Sequence, residues 1–249
     1  MIYLIFAFIG LLVGAFINVL SDDLPKREPL SRPHCPNPEC SHVYRLSRWL
    51  GISRRLLDGA CPECGTPTRK RVVLVEVATA VLFAFMPFFF TDPVVLAIYT
   101  FYMAILILII VIDLENRLIL DIVTYPGTIL AFLFSFVLPH INWRSALAGA
   151  LIGLVLFLGV YWLAKVTFGP GAIGQGDVKL AMMMGAMLGV PSIIGAIVLG
   201  IVMGGIISGL LLVTRLVSRN TYLPYGQYLA IATMIMLIWG PTINTWWLG

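Results

Sequence analysis

Long apolar runs, each closed by glycine, proline or charge, organise this chain from its first residues. Eight of them approach the roughly 20 predominantly apolar residues that a membrane-spanning helix needs. They cover about 1–20, 72–90, 94–112, 122–138, 145–164, 178–190, 192–213 and 223–240. The sixth is short, and its boundary at the Gly-Val-Pro-Ser of 189–192 is the least defined. The runs are continuous, whereas strands of a membrane barrel alternate over about ten residues. The pattern predicts an all-α polytopic membrane protein with about eight transmembrane helices. Residues 1–20 have no basic leading segment, and no small-residue cleavage site follows them. They read as a retained helix rather than a signal peptide.

Composition agrees with the pattern. The chain has 249 residues, 60% of them hydrophobic and 11% charged, against about 25% charged in a soluble domain. One polar insertion, residues 21–71, interrupts the runs and carries ten of the sixteen lysines and arginines. The expected organisation is a first helix at 1–20, a cytosolic insertion at 21–71 and a seven-helix core at 72–249. Basic residues mark the cytosolic side of a membrane protein. With the insertion in the cytosol, Arg117, Lys165, Lys179, Arg215 and Arg219 also lie inside, and only Arg144 lies outside. Both termini then face outward. The expected environment is the lipid bilayer, with no nucleic-acid partner. Gly149–Gly153, Gly185–Gly189, Gly200–Gly204 and Gly205–Gly209 repeat a small-xxx-small spacing, which reads as close helix packing.

All four cysteines lie in the insertion, as Cys35 and Cys40, then Cys61 and Cys64. Two close pairs across a spacer suit a tetrahedral thiolate site, and zinc is its usual occupant. A reducing cytosol argues against disulfides, and a metal staple would help so small a polar segment fold. A redox pair and unliganded thiols are the alternatives. His34 and His42 are possible substitute ligands, but four thiolates suffice.

Ionisable groups within or beside membrane spans are functional candidates. Asp113 ends the third run, Asp121 opens the fourth, Asp177 opens the sixth, and Glu76 lies inside the second. Singly, each reads more readily as a helix-end residue than as a catalytic one. The dipole favours Asp121 and Asp177 at helix starts, while Asp113, at a helix end, has Arg117 four residues on as a candidate partner. Gly174 and Gly176 precede Asp177, and glycine permits close backbone approach. Asp113 and Asp177 fall at one depth in the threading above. Two carboxyls within reach share a proton: the ionised one activates water and the protonated one donates to a scissile carbonyl. No G-x-S-x-G or H-E-x-x-H motif competes. Glu76 suits orientation of a substrate amine, or a helix–helix hydrogen bond. Lys179 stands two residues from Asp177, off its helix face, and suits lipid phosphate or a substrate carboxylate.

At these residues the chain resembles the prepilin leader peptidases, membrane aspartic proteases of the Gly-x-Gly-Asp type. "GAFINVLSDDLP" resembles the family's first-helix motif, and the paired cysteines resemble its metal-binding insertion. "VLVEVATA" resembles the segment that carries an intramembrane Glu, "IDLENRLILDIVTYPG" the first catalytic segment and "GQGDVKL" the second. "LPYGQYLA" resembles a Pro-Phe-Gly motif of the last helix. The resemblance implies catalytic acids at Asp113 and Asp177. It implies a prepilin or pseudopilin substrate, cut after a Gly at the cytosolic face of the bacterial inner membrane. It also implies N-methylation of the new terminus by S-adenosylmethionine, in the region of the insertion. Leu120 stands where the family has Pro, the first cysteine pair has a four-residue spacer where two is usual, and Tyr225 replaces Phe. A proton-coupled transporter is the alternative, although its acids would sit near midplane in interrupted helices. A zinc-domain interaction protein with a passive anchor would not need eight spans.

Overall fold

The structure, a computed structural model, describes residues 1–27, 30, 32–35, 37, 39–40, 42–169, 174–215 and 225–248. Arg219 and the Pro224 of the last motif lie outside the described residues. Among those described, every regular element is a helix, with two short 3-10 turns and two isolated bridges in the insertion. The helices are α1 (Ile2–Asp23), α2 (Gly51–Leu57), α3 (Lys70–Phe89), α4 (Pro93–Asn116), α5 (Asp121–Phe134), α6 (Trp143–Phe168), α7 (Gln175–Leu188), α8 (Ser192–Val213) and α9 (Gly226–Leu248).

Every apolar run became a helix, and α2 is an extra turn inside the insertion. Among the described residues, six helices are long and apolar enough to cross a membrane. α5 and α7, with 14 residues each, reach only about 21 Å at 1.5 Å per residue, short of a roughly 30 Å hydrocarbon core. The sequence expectation of about eight spans therefore resolves into six long helices and two short ones.

The chain forms two compact units, Met1–Val111 and Ile112–Gly249. In the first, α1 lies along α3. Gly10 and Gly14 allow this, since a Cβ at either would sit 2.7 Å from the Cα of Ala80 or Glu76. Asn18 is buried and donates to the Val72 carbonyl at 3.0 Å, and Asp22 pairs with Arg71 at 3.0 Å. Asp92 starts α4 by accepting the N–H groups of Val94 and Val95 at 2.9 and 3.0 Å, an N-cap that satisfies helix-start donors.

In the second unit α7 packs against α5, α6, α8 and α9, and ten of its fourteen residues are buried. Its contact with α6 is backbone on backbone. A Cβ on Gly149 would strike the Gly185 carbonyl, one on Gly185 the Gly149 carbonyl, and one on Gly153 the Ala181 carbonyl. Gly189 ends α7 at φ 63°, and Pro191 follows, so α8 begins at Ser192. α5 begins at Asp121 after an extended Leu120, the start expected even without proline there.

Candidate active site

Three helix ends converge in the second unit. Asp113 occupies the last turn of α4 and is 4% exposed. Its Oδ2 accepts the Gln227 N–H, from the first turn of α9, at 3.0 Å. Asp177 is the third residue of α7, also 4% exposed, and its own N–H donates to the Gly174 carbonyl at 3.2 Å. Both buried carboxyls sit at the helix ends that meet here.

Glycines set this convergence. A Cβ on Gly226 would lie 2.7 Å from Ile119 Cδ1 and 3.1 Å from Asp113 Oδ2. A Cβ on Gly176 would lie 2.7 Å from Ile119 Cβ. Ile119, on the α4–α5 connection, is thus seated between the first turns of α7 and α9. Gly174 caps α7 in an extended conformation. The Gly226–Gln227 contribution was not assigned to the site from sequence. Its signal was the last-helix motif, which names residues but not the backbone amide that touches Asp113.

Asp121 and Lys179 are placed elsewhere. Asp121 is 57% exposed and its Oδ1 meets Lys179 Nζ at 2.6 Å. Arg117, at φ 54°, closes α4 through its N–H to the Asp113 carbonyl at 2.9 Å.

Glu76 belongs to the first unit and is fully buried. Its Oε1 accepts the Gly51 N–H at 2.6 Å and its Oε2 the Ile52 N–H at 3.0 Å. It therefore caps α2 and docks the insertion on α3. Gly51 leaves room for this, because a Cβ there would strike Val72 and lie 3.2 Å from Glu76 Oε1. Hydrogen bonds to a charged group contribute about 1.5–3 kcal/mol each. Glu76→Gln should lose one of these bonds and set an amide N–H₂ against a backbone N–H. Hydrogen exchange should then show α2 losing protection, and unchanged protection would refute the docking role.

Two tight turns carry the cysteines. Cys35 N–H donates to the His42 carbonyl at 3.0 Å and Cys61 N–H to the Thr66 carbonyl at 2.8 Å. The four sulfurs lie within 4.8 Å of one another, with Cys35–Cys64 at 3.4 Å and Cys40–Cys61 at 3.9 Å. Metal–sulfur bonds of about 2.3 Å put tetrahedral sulfurs roughly 3.8 Å apart, so the cluster can hold a metal ion despite the longer first spacer. Burial pushes the Cys35 thiol up to about 12, while hydrogen bonds from Thr66 draw Cys64 down to about 6. His42 instead meets Glu63 at 2.7 Å, and His34 lies 3.8 Å from Asp23.

Comparison with known proteins bears on both units. Residues 8–90 match the bacterial peptidase A24 N-terminal domain, and residues 100–209 match the type IV leader peptidase family. A Pseudomonas aeruginosa protein named prepilin leader peptidase/N-methyltransferase is 31% identical over 262 residues, covering 95% of this chain and 90% of the relative. The chain belongs to the type IV leader peptidase family. Proteins of the same name from Dichelobacter nodosus and Aeromonas hydrophila are 32% and 29% identical. They cover 89% and 98% of this chain, and 77% and 93% of the relatives. No solved structure matches. The leader peptidase match encloses Asp113, Asp121, Gly174, Gly176, Asp177 and Lys179, and ends before Gly226. Glu76 and the cysteines fall in the N-terminal match. This member of the family is a multi-pass membrane protein, and the transporter alternative finds no support.

Proposed function

We propose that this chain is a membrane aspartic endopeptidase that removes the basic leader from type IV prepilins or pseudopilins. Cleavage falls after the Gly preceding the substrate's apolar helix, at the cytosolic face of the bacterial inner membrane, with both termini outside. The observation that carries this reading is the pair of buried carboxyls, Asp113 and Asp177, on helix ends that meet around Ile119. The names of the relatives support the substrate class.

In the proposed mechanism the pair shares one proton. The Gln227 N–H holds Asp113 Oδ2, so Asp113 accepts the proton of the attacking water. Asp177 donates to the scissile carbonyl oxygen. The water oxygen bonds to the carbonyl carbon to give a gem-diol; Asp113 then passes its proton to the nitrogen, a gem-diol hydroxyl returns one to Asp177, and the C–N bond breaks to release the amine. Gly174 keeps a side chain away from the substrate's extended segment in this reading, and Gly176 makes room for Ile119 beside it. The test is incubation of the purified protein in detergent with a short prepilin, followed by mass spectrometry. Leader removal is expected, and an intact prepilin alongside folded enzyme would overturn the reading.

The four thiolates of Cys35, Cys40, Cys61 and Cys64 hold a structural zinc in this reading, supported by the spacing of the sulfurs. About one zinc per chain is expected from the four-ligand rule, and metal analysis showing only background in reduced protein would refute it. The relatives' names also support methylation of the new N-terminus, with S-adenosylmethionine as donor. The cleft lined by Asn18, Asp22, His34, Tyr44, Arg54 and Arg69 encloses about 30 Å³, room for a water or two. It does not fit that donor, and no residue is assigned to methyl transfer.

A further inference from the structure

We propose that Lys179 and Asp121 form a positioning clamp that sets the rotation of α7, so that Asp177 faces Asp113. The proposal rests on the peptidase reading of that acid pair.

Lys179 follows Asp177 by two residues, about 200° around a helix of 3.6 residues per turn. The two side chains therefore leave α7 on nearly opposite sides. Asp177 turns inward and is buried. Lys179 turns toward α5, where its Nζ meets Asp121 Oδ1 at 2.6 Å and lies 5.4 Å from the centre of the Tyr125 ring. Asp121 and Tyr125 are one turn apart on α5, so the ammonium is gripped by an acid and an aromatic face of a single helix. Further along both helices, past Tyr125 on α5 and past Lys179 on α7, Gly127 lies against Met183. The two contacts together fix the register of α5 against α7.

The polarity of the helix ends makes this pairing informative. A cation near the start of a helix opposes the macrodipole, whereas an acid there is favoured. Lys179 lies in the second turn of α7 and Asp121 is the first residue of α5. Lys179 lies past the first turn, where the dipole has fallen off, so the acid and the ring of α5 decide where its ammonium sits. A 14-residue helix lacks the length that anchors a full span at both interfaces, so a polar contact at one end has a large share in fixing its rotation. One residue's rotation, 100°, would carry Asp177 away from Asp113.

The experiment measures kcat and KM for prepilin cleavage in Lys179→Met, Asp121→Ala, Lys179→Arg and the exchange variant combining Asp121→Lys with Lys179→Asp. Each of the first two should lower kcat between about 10- and 100-fold, the cost of a roughly 1 Å misplacement, with KM little changed. Lys179→Arg and the exchange variant should recover most of kcat. Lys179→Met keeps the length of the stem, and thermal melts in detergent separate loss of fold from loss of position. Raised KM with unchanged kcat in Lys179→Met, with Asp121→Ala silent, would instead make Lys179 a substrate ligand and overturn the clamp. Full activity in both single variants, or an exchange variant that folds but stays inactive, would overturn it too. Asp177→Asn serves as the control. If it cleaves normally the peptidase reading of the pair fails, whereas failure of the clamp variants alone leaves that reading standing.

Discussion

Asp113→Asn and Asp177→Asn are each expected to abolish detectable leader cleavage, while expression, melting behaviour and metal content stay normal. A positioned acid or base contributes roughly 10²–10⁴-fold, and each of these side chains serves a reaction that needs both. The double variant should be no worse than either single variant, because groups that act as a unit are not additive. Asp121 is the comparison that gives the test its force. It lies on the same short stretch of chain as Asp113, yet it is 57% exposed and engaged with Lys179, while Asp113 is 4% exposed beside Asp177. Asp121→Asn weakens the contact to Lys179 and should leave measurable activity. A dead Asp121→Asn with a normal Asp113→Asn would reassign the pair while leaving an aspartic peptidase in place.

Gly149→Val and Gly185→Val should each cost folded protein and leader cleavage, whereas Gly205→Val and Gly209→Val should leave both near the unsubstituted level. The four positions share one spacing pattern but meet different surroundings. Gly149 and Gly185 each face the other's backbone carbonyl, and Gly205 and Gly209 have nothing of the other described residues within 4 Å of a Cβ. Overpacking typically costs about 1–3 kcal/mol where side chains can shift. Here the neighbour is main chain of a hydrogen-bonded helix, so the helices themselves must part, and α7 carries Asp177. Monodispersity in detergent and the cleavage assay are the readouts. A fully active Gly185→Val would show that the α6–α7 contact is not required.

Glycine spacing alone could not make that distinction. All four motifs read as helix packing, and the structure sorts them. Gly149–Gly153 and Gly185–Gly189 line the α6–α7 contact, Gly200–Gly204 lies against Leu229, Tyr225 and Tyr228 of the last helix region, and Gly205–Gly209 meets none of the other described residues. Glu76 shows the same limit. Its burial inside an apolar run was plain from the sequence, but its partners are the amides of Gly51 and Ile52, 25 and 24 residues away. Lys179 was legible as a cation off the face of Asp177, and its partner Asp121 lies 58 residues away.

The sequence by itself determined the helices, the acids and the thiol pairs. Each is a local property: an apolar run in a membrane has no way to satisfy its backbone except as a helix, and closely spaced cysteines on tight turns can only meet. Tertiary packing buried Asp113 and left Asp121 exposed, made α7 short and enclosed, and brought an amide 114 residues from Asp113 to hold its carboxylate. Those facts depend on how each helix is rotated about its axis. A helix apolar on every side carries no hydrophobic face to set that rotation, because lipid is as apolar as the neighbouring helix. Close backbone contact at glycines and a few polar pairs set it instead, and their partners are distant in the chain.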